Sequence, residues 1–231
     1  IMRYGENPHQ NGVFYGKLED LFVQLNGKQL SFNNLLDLDA AIHLIREFDE
    51  PTFAVIKHTN ACGVATRKKL INAWKDALAA DPVSAFGGIL ITNRPVDPDT
   101  AKEIDKLFFE ILMAPGYEKN ALEILASKKN RIILQGKNIN IGNKQFKTIL
   151  HGVIEQDKDY KTVGPEDLKV VTRLSPDKNE ISDLLFANKV VKHTKSNAIV
   201  LARGQQLLAS GVGQTSRVDA LKQAIAKAKL F

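Results

Sequence analysis

The sequence predicts an α/β fold, because short apolar segments of strand length alternate along the chain with amphipathic segments of helix length. The clearest strand, Phe53 to Ile56, follows Pro51 and is apolar at every position, as in a strand buried on both faces. A second such strand, Ile89 to Thr92, follows a helix predicted from about Leu70 to Ala80. A polar stretch rich in Asn and Lys, from Gly136 to Lys147, indicates a boundary between two units.

The composition is that of a globular chain. Its 231 residues are 44% hydrophobic and 25% charged, and no apolar run reaches the ~18 residues that a membrane helix needs. The single cysteine, Cys62, excludes an internal disulfide and a Cys-rich zinc cluster. The first ten residues lack an apolar secretory core, so we expect a cytoplasmic protein without a membrane partner.

The net charge of +6 favours anionic ligands, which include nucleic acid, phosphorylated metabolites and polyanionic cofactors. The basic residues are spread along the chain, and aromatic residues make up only 7% of it. Nucleic-acid binding usually needs clustered basic residues with aromatic side chains between them. We therefore expect small-molecule ligands and no nucleic acid.

Before the Phe53 strand the pattern predicts two edge strands and one helix. The strands are Val13 to Tyr15 and Leu21 to Leu25. Asn33 or Asn34 is a suitable N-cap for a helix from about Leu35 to Phe48, whose apolar residues have helical spacing.

The remaining elements follow from the same alternation and from cap and turn residues. They are helices at 98–107, 117–129 and 176–192, strands at 108–113, 131–134, 148–154 and 198–202, an extended segment at 205–212, and a last helix through 228. Ser216 to Asp219 has the form of a capping box for that last helix.

Lys57 and His58 follow the buried strand directly. The carboxyl ends of strands in α/β sheets border the crevice where ligands bind. Histidine transfers protons near neutral pH, and a neighbouring lysine stabilises developing negative charge. The alternative is a solvated strand end followed by a hydrogen-bonded loop histidine, and these residues alone favour that alternative.

Four other stretches are candidates for ligand contact. The polar N-terminal segment 3–10 is rich in donors, and the paired glycines Gly87-Gly88 allow a ligand close to the backbone. Glu110 interrupts an apolar run, and Gly211 to Asp219 is a glycine-rich loop leading into a helix, suited to anions. Each has a structural alternative: a polar arm, a packing turn, a solvent-facing carboxylate or an ordinary loop.

Taken in order, seven stretches resemble one known family. They are RYGENPHQ, LSFNNLLDLDAA, VIKHTNACGVA, DPVSAFGGILITNRPVD, the Glu110 strand ending in APGYE, DLLFANKVVKHTKSNAIVLA and GVGQTSRVDA. The chain is similar over nearly its whole length to the AICAR transformylase part of bifunctional purine biosynthesis enzymes. This family transfers a formyl group from 10-formyltetrahydrofolate to the amine of AICAR, giving FAICAR, the penultimate step to IMP.

The resemblance implies a fold similar to cytidine deaminase, with three layers and a duplicated unit. Residues 1–157 would form the first unit and residues 158–231 the start of the second. The zinc-deaminase signature is absent, since its cysteine ligands cannot come from Cys62 alone, and no metal chemistry is implied.

The resemblance also assigns roles at the Lys57-His58 pair. His58 matches the family's proton acceptor, and Lys57 matches its transition-state stabiliser. The AICAR amine is conjugated and weakly nucleophilic, so a base at this position assists its attack on the formyl carbon. The ammonium stabilises the negative charge that develops on the formyl oxygen, donates the proton that the departing folate nitrogen needs, or does both.

Binding roles carry over by motif in the same way. Arg3 and Tyr4 match a pair of AICAR contacts, and further AICAR contacts are Gly87, Glu110 and Asn197. Arg217 matches a folate contact. Family sites form between two subunits, so a homodimer is expected, with Arg3, Tyr4 and Asn197 serving the partner's site.

The resemblance further places a K⁺ site, where members have one, around Val190, Thr194 and Ser196. Ala61 stands where the family usually has proline. The chain stops at Phe231, before the family's further folate-binding residues, and it lacks the IMP cyclohydrolase half that precedes residue 1 in the family. We therefore expect a fragment, inactive by itself; the alternative is a non-catalytic nucleotide-binding or assembly module.

Overall fold

The computed structural model describes residue 2, residues 4–137 and residues 141–231. The strands are β1 (Phe22–Asn26), β2 (Thr52–Lys57), β3 (Asn60–Thr66), β4 (Ile89–Thr92), β5 (Ile111–Ala114), β6 (Ile132–Gly136), β7 (Lys144–Ile149), β8 (Gly152–Asp157), β9 (Ile199–Ala202) and β10 (Leu207–Gly211). The helices are α1 (Phe32–Ile45), α2 (Leu70–Ala79), α3 (Pro98–Asp105), α4 (Lys119–Ala126), α5 (Lys178–Lys192) and α6 (Arg217–Ala228).

A central mixed sheet confirms the predicted α/β class. Its strand order is β1-β6-β5-β4-β2-β3, with β4, β5 and β6 parallel and the other pairs antiparallel. One apolar cluster on the sheet includes α1 residues such as Leu38 and Ile42. A second cluster includes residues of α2, α3 and α4 such as Trp74. No helix in the part of the chain that the structure describes is long and apolar enough to cross a membrane.

Helix α5 and the β9-β10 hairpin pack against this sheet. Phe186 and Val190 of α5 belong to the same apolar cluster as α1. An antiparallel bridge between Ala65 and Gln206 places the β9-β10 hairpin beside the β3 edge. The proposed boundary between residues 157 and 158 stays a prediction.

Strong local signals predicted several elements correctly. The apolar run Ile89 to Thr92 is β4, with all four side chains buried. Helix α5 begins after Asp177, whose carboxylate accepts the amides of Asn179 and Glu180, and it ends at Lys192 as predicted. Ser216 caps α6 by accepting the amides of Val218 and Asp219.

The predicted strand at Val13 to Tyr15 is wrong. Tyr15 is 91% exposed and Val13 is 46% exposed, so this segment has no face on which to pack. The predicted cap of α1 is also wrong, because Ser31 is the N-cap. Its hydroxyl accepts the amide of Asn34, and the Asn34 side chain accepts the amide of Ser31 in return.

Two hairpins were missed, because their turns carry no glycine, asparagine or proline. The segment after His58, predicted as a turn of small residues, is strand β3. The predicted strand 148–154 is the end of the β7-β8 hairpin, with its turn at Leu150 and His151. Every side chain of β7 and β8 is exposed, so no burial pattern marks them.

Three boundaries are also corrected. The strand predicted at 108–113 begins at Ile111, because Phe108 instead packs its ring 5.0 Å from that of Phe86. The helix predicted at 117–129 spans Lys119–Ala126, and the segment predicted at 205–212 contains β10.

One arrangement occurs twice: a helix, a hairpin and a second helix. The copies are α1-β2-β3-α2 and α5-β9-β10-α6. In the first, a Cβ on Gly63 of β3 would lie 2.0 Å from the carbonyl oxygen of Ala77 in α2. In the second, a Cβ on Gly211 of β10 would lie 1.9 Å from the carbonyl oxygen of Ala220 in α6. A glycine therefore permits the same close strand-helix contact in both copies.

Candidate active site

One edge of the sheet collects four of the eight predicted site residues: Lys57, His58, Gly87 and Glu110. Strand β2 runs antiparallel to β4, so Lys57 at its carboxyl end lies where the parallel strands begin. The pairing of Ile56 with Ile89, and of Ile89 with Ile111, brings Gly88 and Glu110 to the same level. The predicted site therefore lies at the amino ends of the parallel strands, and the expectation of a crevice at their carboxyl ends is wrong.

The ammonium of Lys57 hydrogen-bonds to the loop that contains Gly87 and Gly88. Its Nζ donates a hydrogen bond of 2.7 Å to the carbonyl of Phe86. Gly87 has a φ of +69°, and a Cβ there would lie 3.2 Å from this Nζ. The amide of Gly87 donates to the carbonyl of Phe108 at 2.8 Å, which fixes the loop. The loop therefore holds the Lys57 ammonium at the sheet edge.

His58 occupies a tight turn between β2 and β3. Its φ is +49° and that of Thr59 is +62°, a left-handed conformation that costs roughly 1–3 kcal/mol per non-glycine residue. Such a turn persists only where its surroundings hold it. The imidazole is exposed, and no residue in the described ranges hydrogen-bonds to it. Its ring nitrogens are therefore accessible to a ligand.

Asp37 and Asn60 hold this turn. Oδ1 of Asp37, on α1, accepts the amide of Thr59 at 2.6 Å. The side-chain nitrogen of Asn60 donates to the carbonyl of His58 at 2.8 Å. Burial raises the pKa of Asp37 above its ordinary value, although the nearby amides of Thr59 and His58 and the charges of His58 and Lys57 oppose that effect.

Glu110 is neither free in solvent nor fully buried. Its Oε2 lies 3.1 Å from Nζ of Lys28, which follows β1. Both side chains are about one-third exposed, at 30% for Glu110 and 36% for Lys28. The cation keeps this carboxylate at the sheet edge while leaving part of it accessible.

Lys195 connects the loops that contain Asn197 and Arg217 to the β2-β3 hairpin. Its amide donates to Oδ1 of Asn60 at 3.2 Å, and its carbonyl accepts the amide of Gly213 at 2.8 Å. The Asn197 side chain donates to the carbonyls of Gln214 and Thr215, each at 3.2 Å. Arg217 is exposed at the start of α6, and within the described residues it has no hydrogen bond to the hairpin.

Of the two predicted N-terminal contacts, Arg3 and Tyr4, the structure describes only Tyr4. Arg3 lies outside the described residues. Tyr4 is half-buried in a loop closed by hydrogen bonds from the amide of Met2 to the carbonyl of Gly12 and from the amide of Gly5 to that of Gln10. The side chain of Asn33 donates to the carbonyl of Glu6 at 3.1 Å, so this loop lies against the start of α1.

The expected K⁺ site stays a prediction. The carbonyl of Val190 accepts hydrogen bonds from Oγ1 of Thr194 at 2.9 Å and from the amide of His193 at 3.2 Å, and Ser196 is exposed. Among the described residues no three or more His, Cys, Asp or Glu side chains are grouped so as to hold a metal ion.

Sequence reasoning missed Asp37, Asn60 and Lys28. Each acts through a contact with a residue from another element, and only the fold creates that contact. The one available signal is the polar residue Asp37 within an amphipathic helix, which by itself reads as a solvated position.

Comparisons with known proteins identify close relatives. Residues 1–227 match the model of the AICARFT/IMPCHase bienzyme family. The chain is 60% identical over 230 residues to the bifunctional purine biosynthesis protein PurH of Bacteroides thetaiotaomicron, covering 100% of this chain and 45% of that protein. It is 47% identical to PurH of Acetivibrio thermocellus over 97% of this chain and 46% of that protein. The chain thus spans about half the length of the curated relatives it matches.

Proposed function

The chain belongs to the AICARFT/IMPCHase bienzyme family, and from this premise we propose that it carries the formyl-transfer chemistry of a bifunctional purine biosynthesis enzyme. The reaction moves the formyl group of 10-formyltetrahydrofolate to the amine of AICAR, giving FAICAR and tetrahydrofolate. The observation that carries the proposal is that the loop-bound Lys57 ammonium and the exposed His58 imidazole belong to neighbouring residues at one sheet edge.

The proposed fold is the cytidine deaminase-like one, with residues 1–157 in the first unit and 158–231 in the second. The repeated helix-hairpin-helix arrangement, with its matching glycines Gly63 and Gly211, supports a duplicated unit. Cys62 is a free, buried thiol, which fits the cytoplasmic location we propose.

In the proposed mechanism His58 is the general base. The AICAR amine nitrogen attacks the formyl carbon, and His58 takes the proton that this nitrogen loses. Negative charge develops on the formyl oxygen, and the Lys57 ammonium stabilises it from its place on the Phe86 carbonyl. The carbon-nitrogen bond to the folate then breaks, and the departing nitrogen receives a proton from His58 or Lys57.

Substrate contacts follow from the same family motifs. Gly87 lets AICAR approach the loop backbone, and Glu110 accepts hydrogen bonds from it. Asn197, Tyr4 and Arg3 complete the AICAR site, and Arg217 contacts the folate. In our proposal the protein is a homodimer, and Arg3, Tyr4 and Asn197 serve the partner's site.

Substitution of His58 tests the proposal, in the protein with a complete formyltransferase unit. We expect His58→Ala to lower kcat by about 10²–10⁴-fold, as for loss of a general base. His151→Ala is the matched control, because His151 also occupies a two-residue hairpin turn and is exposed. Formyl transfer is followed by the absorbance change of the folate. Unchanged turnover in His58→Ala refutes the assignment.

A non-catalytic nucleotide-binding module is the second candidate. Calorimetry with AICAR separates the two, since micromolar binding by a protein with no measurable formyl transfer favours the module.

A further inference from the structure

We propose that Asp37 is a positioning residue whose carboxylate holds the His58-Thr59 turn in the conformation that presents the imidazole. This inference rests on the proposed function, because it assigns Asp37 a part in the reaction of His58. Its structural basis is the contact of the Asp37 carboxylate with the turn, which does not depend on the identity of the substrate.

The turn needs such a contact. His58 and Thr59 both have positive φ values, a conformation that is uncommon for residues other than glycine. Thr59 is β-branched, which makes the left-handed region still less favourable for it. The carboxylate of Asp37 accepts the Thr59 amide at 2.6 Å, a charge-assisted bond at the centre of the turn.

We call the contact between a helix aspartate and the amides of a hairpin turn the clamp. The second copy of the helix-hairpin-helix arrangement, which we call the repeated module, contains the same clamp. Its turn is Gly204-Gln205, with φ values of +58° and +53°. Oδ2 of Asp183 accepts the amide of Gly204 at 2.8 Å, and Oδ1 accepts that of Gln205 at 2.7 Å. A carboxylate from the preceding helix thus holds the hairpin turn in both copies.

The two aspartates occupy matching positions. Asp37 is the sixth residue of a helix that begins at Phe32, and Asp183 is the sixth residue of one that begins at Lys178. Both helices also begin with a capping box, formed by Ser31 in the first and by Asp177 in the second. The clamp is therefore a feature of the repeated module, and only the first copy has a histidine in the turn that it holds.

Because the clamp occurs twice, its effect on folding can be separated from its effect on catalysis. Loss of Asp183 removes the support of a turn without a proposed chemical role, whereas loss of Asp37 also releases His58. A displacement of about 1 Å at a reacting group lowers rates by up to 10²-fold. Hence the two substitutions should affect folding similarly and catalysis differently.

The test compares Asp37→Ala, Asp37→Asn and Asp183→Ala in the protein with a complete formyltransferase unit. We expect Asp37→Ala to lower kcat by about 10–100-fold, with KM for AICAR and folate within about threefold of wild type. Asn keeps an oxygen that accepts the Thr59 amide, so Asp37→Asn should retain kcat within about fivefold. Asp183→Ala should leave kcat unchanged while lowering the melting temperature about as much as Asp37→Ala does.

A second readout does not depend on activity. Amide hydrogen exchange at Thr59 should accelerate in Asp37→Ala and remain slow in Asp37→Asn. The inference is overturned if Asp37→Ala keeps wild-type kcat while His58→Ala is inactive, or if Thr59 exchange does not change. An inactive wild-type protein with the expected exchange pattern instead contradicts the proposed function and leaves the clamp supported.

Discussion

Nζ of Lys227, near the end of α6, lies 2.5 Å from Oδ2 of Asp81, in the turn that follows α2. The Asp81 side chain is only 3% exposed, and its Oδ1 accepts the amide of Ser84 at 2.9 Å. The same turn leads to Phe86 and Gly87, on which Lys57 rests. This ion pair therefore couples the last helix to the loop that shapes the candidate site.

Removal of the cation should destabilise the fold. We expect Lys227→Met to lower the free energy of unfolding by about 2–3 kcal/mol, because it leaves a buried carboxylate without its partner. Adding Asp81→Asn should recover part of that loss. Lys222→Met, at an exposed position of the same helix, is the control and should change stability by less than about 0.5 kcal/mol. Urea unfolding measures all three, and a Lys227→Met protein as stable as the control contradicts the expectation.

Glu47 should make stability depend on acid pH. Its Oε1 lies 2.9 Å from both Nζ of Lys192 and Nε2 of His193, and its side chain is 11% exposed. Burial acts to raise the pKa of Glu47, but the hydrogen bonds from His193 and Lys192 outweigh it and lower the pKa to about 2, from an ordinary 4.5. A lowered pKa in the folded state gives stability that is complete above the ordinary value and is lost as the pH falls toward 2.

Glu47→Gln should therefore cost about 2–3 kcal/mol at pH 7, and less as the pH is lowered below 4.5. Urea unfolding of wild type and variant from pH 7 to pH 3.5 measures the difference. Glu50→Gln, at an exposed position nearby, should show no such trend. If the loss of unfolding free energy in Glu47→Gln stays constant over this range, the carboxylate charge is not its source.

The sequence predicted those parts of the fold whose signals are local. Runs such as Ile89 to Thr92 and caps such as Asp177 depend on neighbouring residues, and both appear as predicted. Strand β3 was missed because its turn is His58-Thr59, whose left-handed backbone depends on Asp37 from another element. A turn held by a tertiary contact leaves no pattern in its own residues.

The same distinction applies to the site. Lys57 and Glu110 were chosen because they end or interrupt an apolar segment, and Gly87 because it belongs to a glycine pair. The structure brings all three to one edge. Lys28 could not be chosen, because its pairing with Glu110 requires β1 to lie beside β6, next to β5. No local pattern predicts that strand order.

Gly87→Ala should impair catalysis beyond its effect on stability. Its φ of +69° disfavours alanine by about 1–2 kcal/mol, and the new methyl group would press against Nζ of Lys57 at 3.2 Å. Gly204→Ala is the matched control, since its φ is +58° and no described atom lies within 4 Å of its added Cβ. We expect similar losses of stability but a fall in kcat of about tenfold or more for Gly87→Ala alone. Equal kcat values would show that Lys57 is not held by this loop in the reaction.

Lys28 should support substrate binding through Glu110. In the proposed site Glu110 contacts AICAR, and the Lys28 ammonium, 3.1 Å from Oε2, restrains its carboxylate. Lys28→Met should weaken AICAR binding about 5–10-fold in calorimetry, because the charge-assisted contact that orients Glu110 is lost. Stability should change by less than about 1 kcal/mol, since the pair is partly exposed.

Two variants test that argument about Lys28. Lys28→Arg keeps a cation at this position and should retain most of the affinity for AICAR. Lys102→Met removes an exposed pair with Asp99 on α3 and should have no effect on binding. If Glu110→Gln weakens AICAR binding while Lys28→Met does not, Glu110 needs no support from Lys28. If neither substitution weakens binding, Glu110 is not a substrate contact.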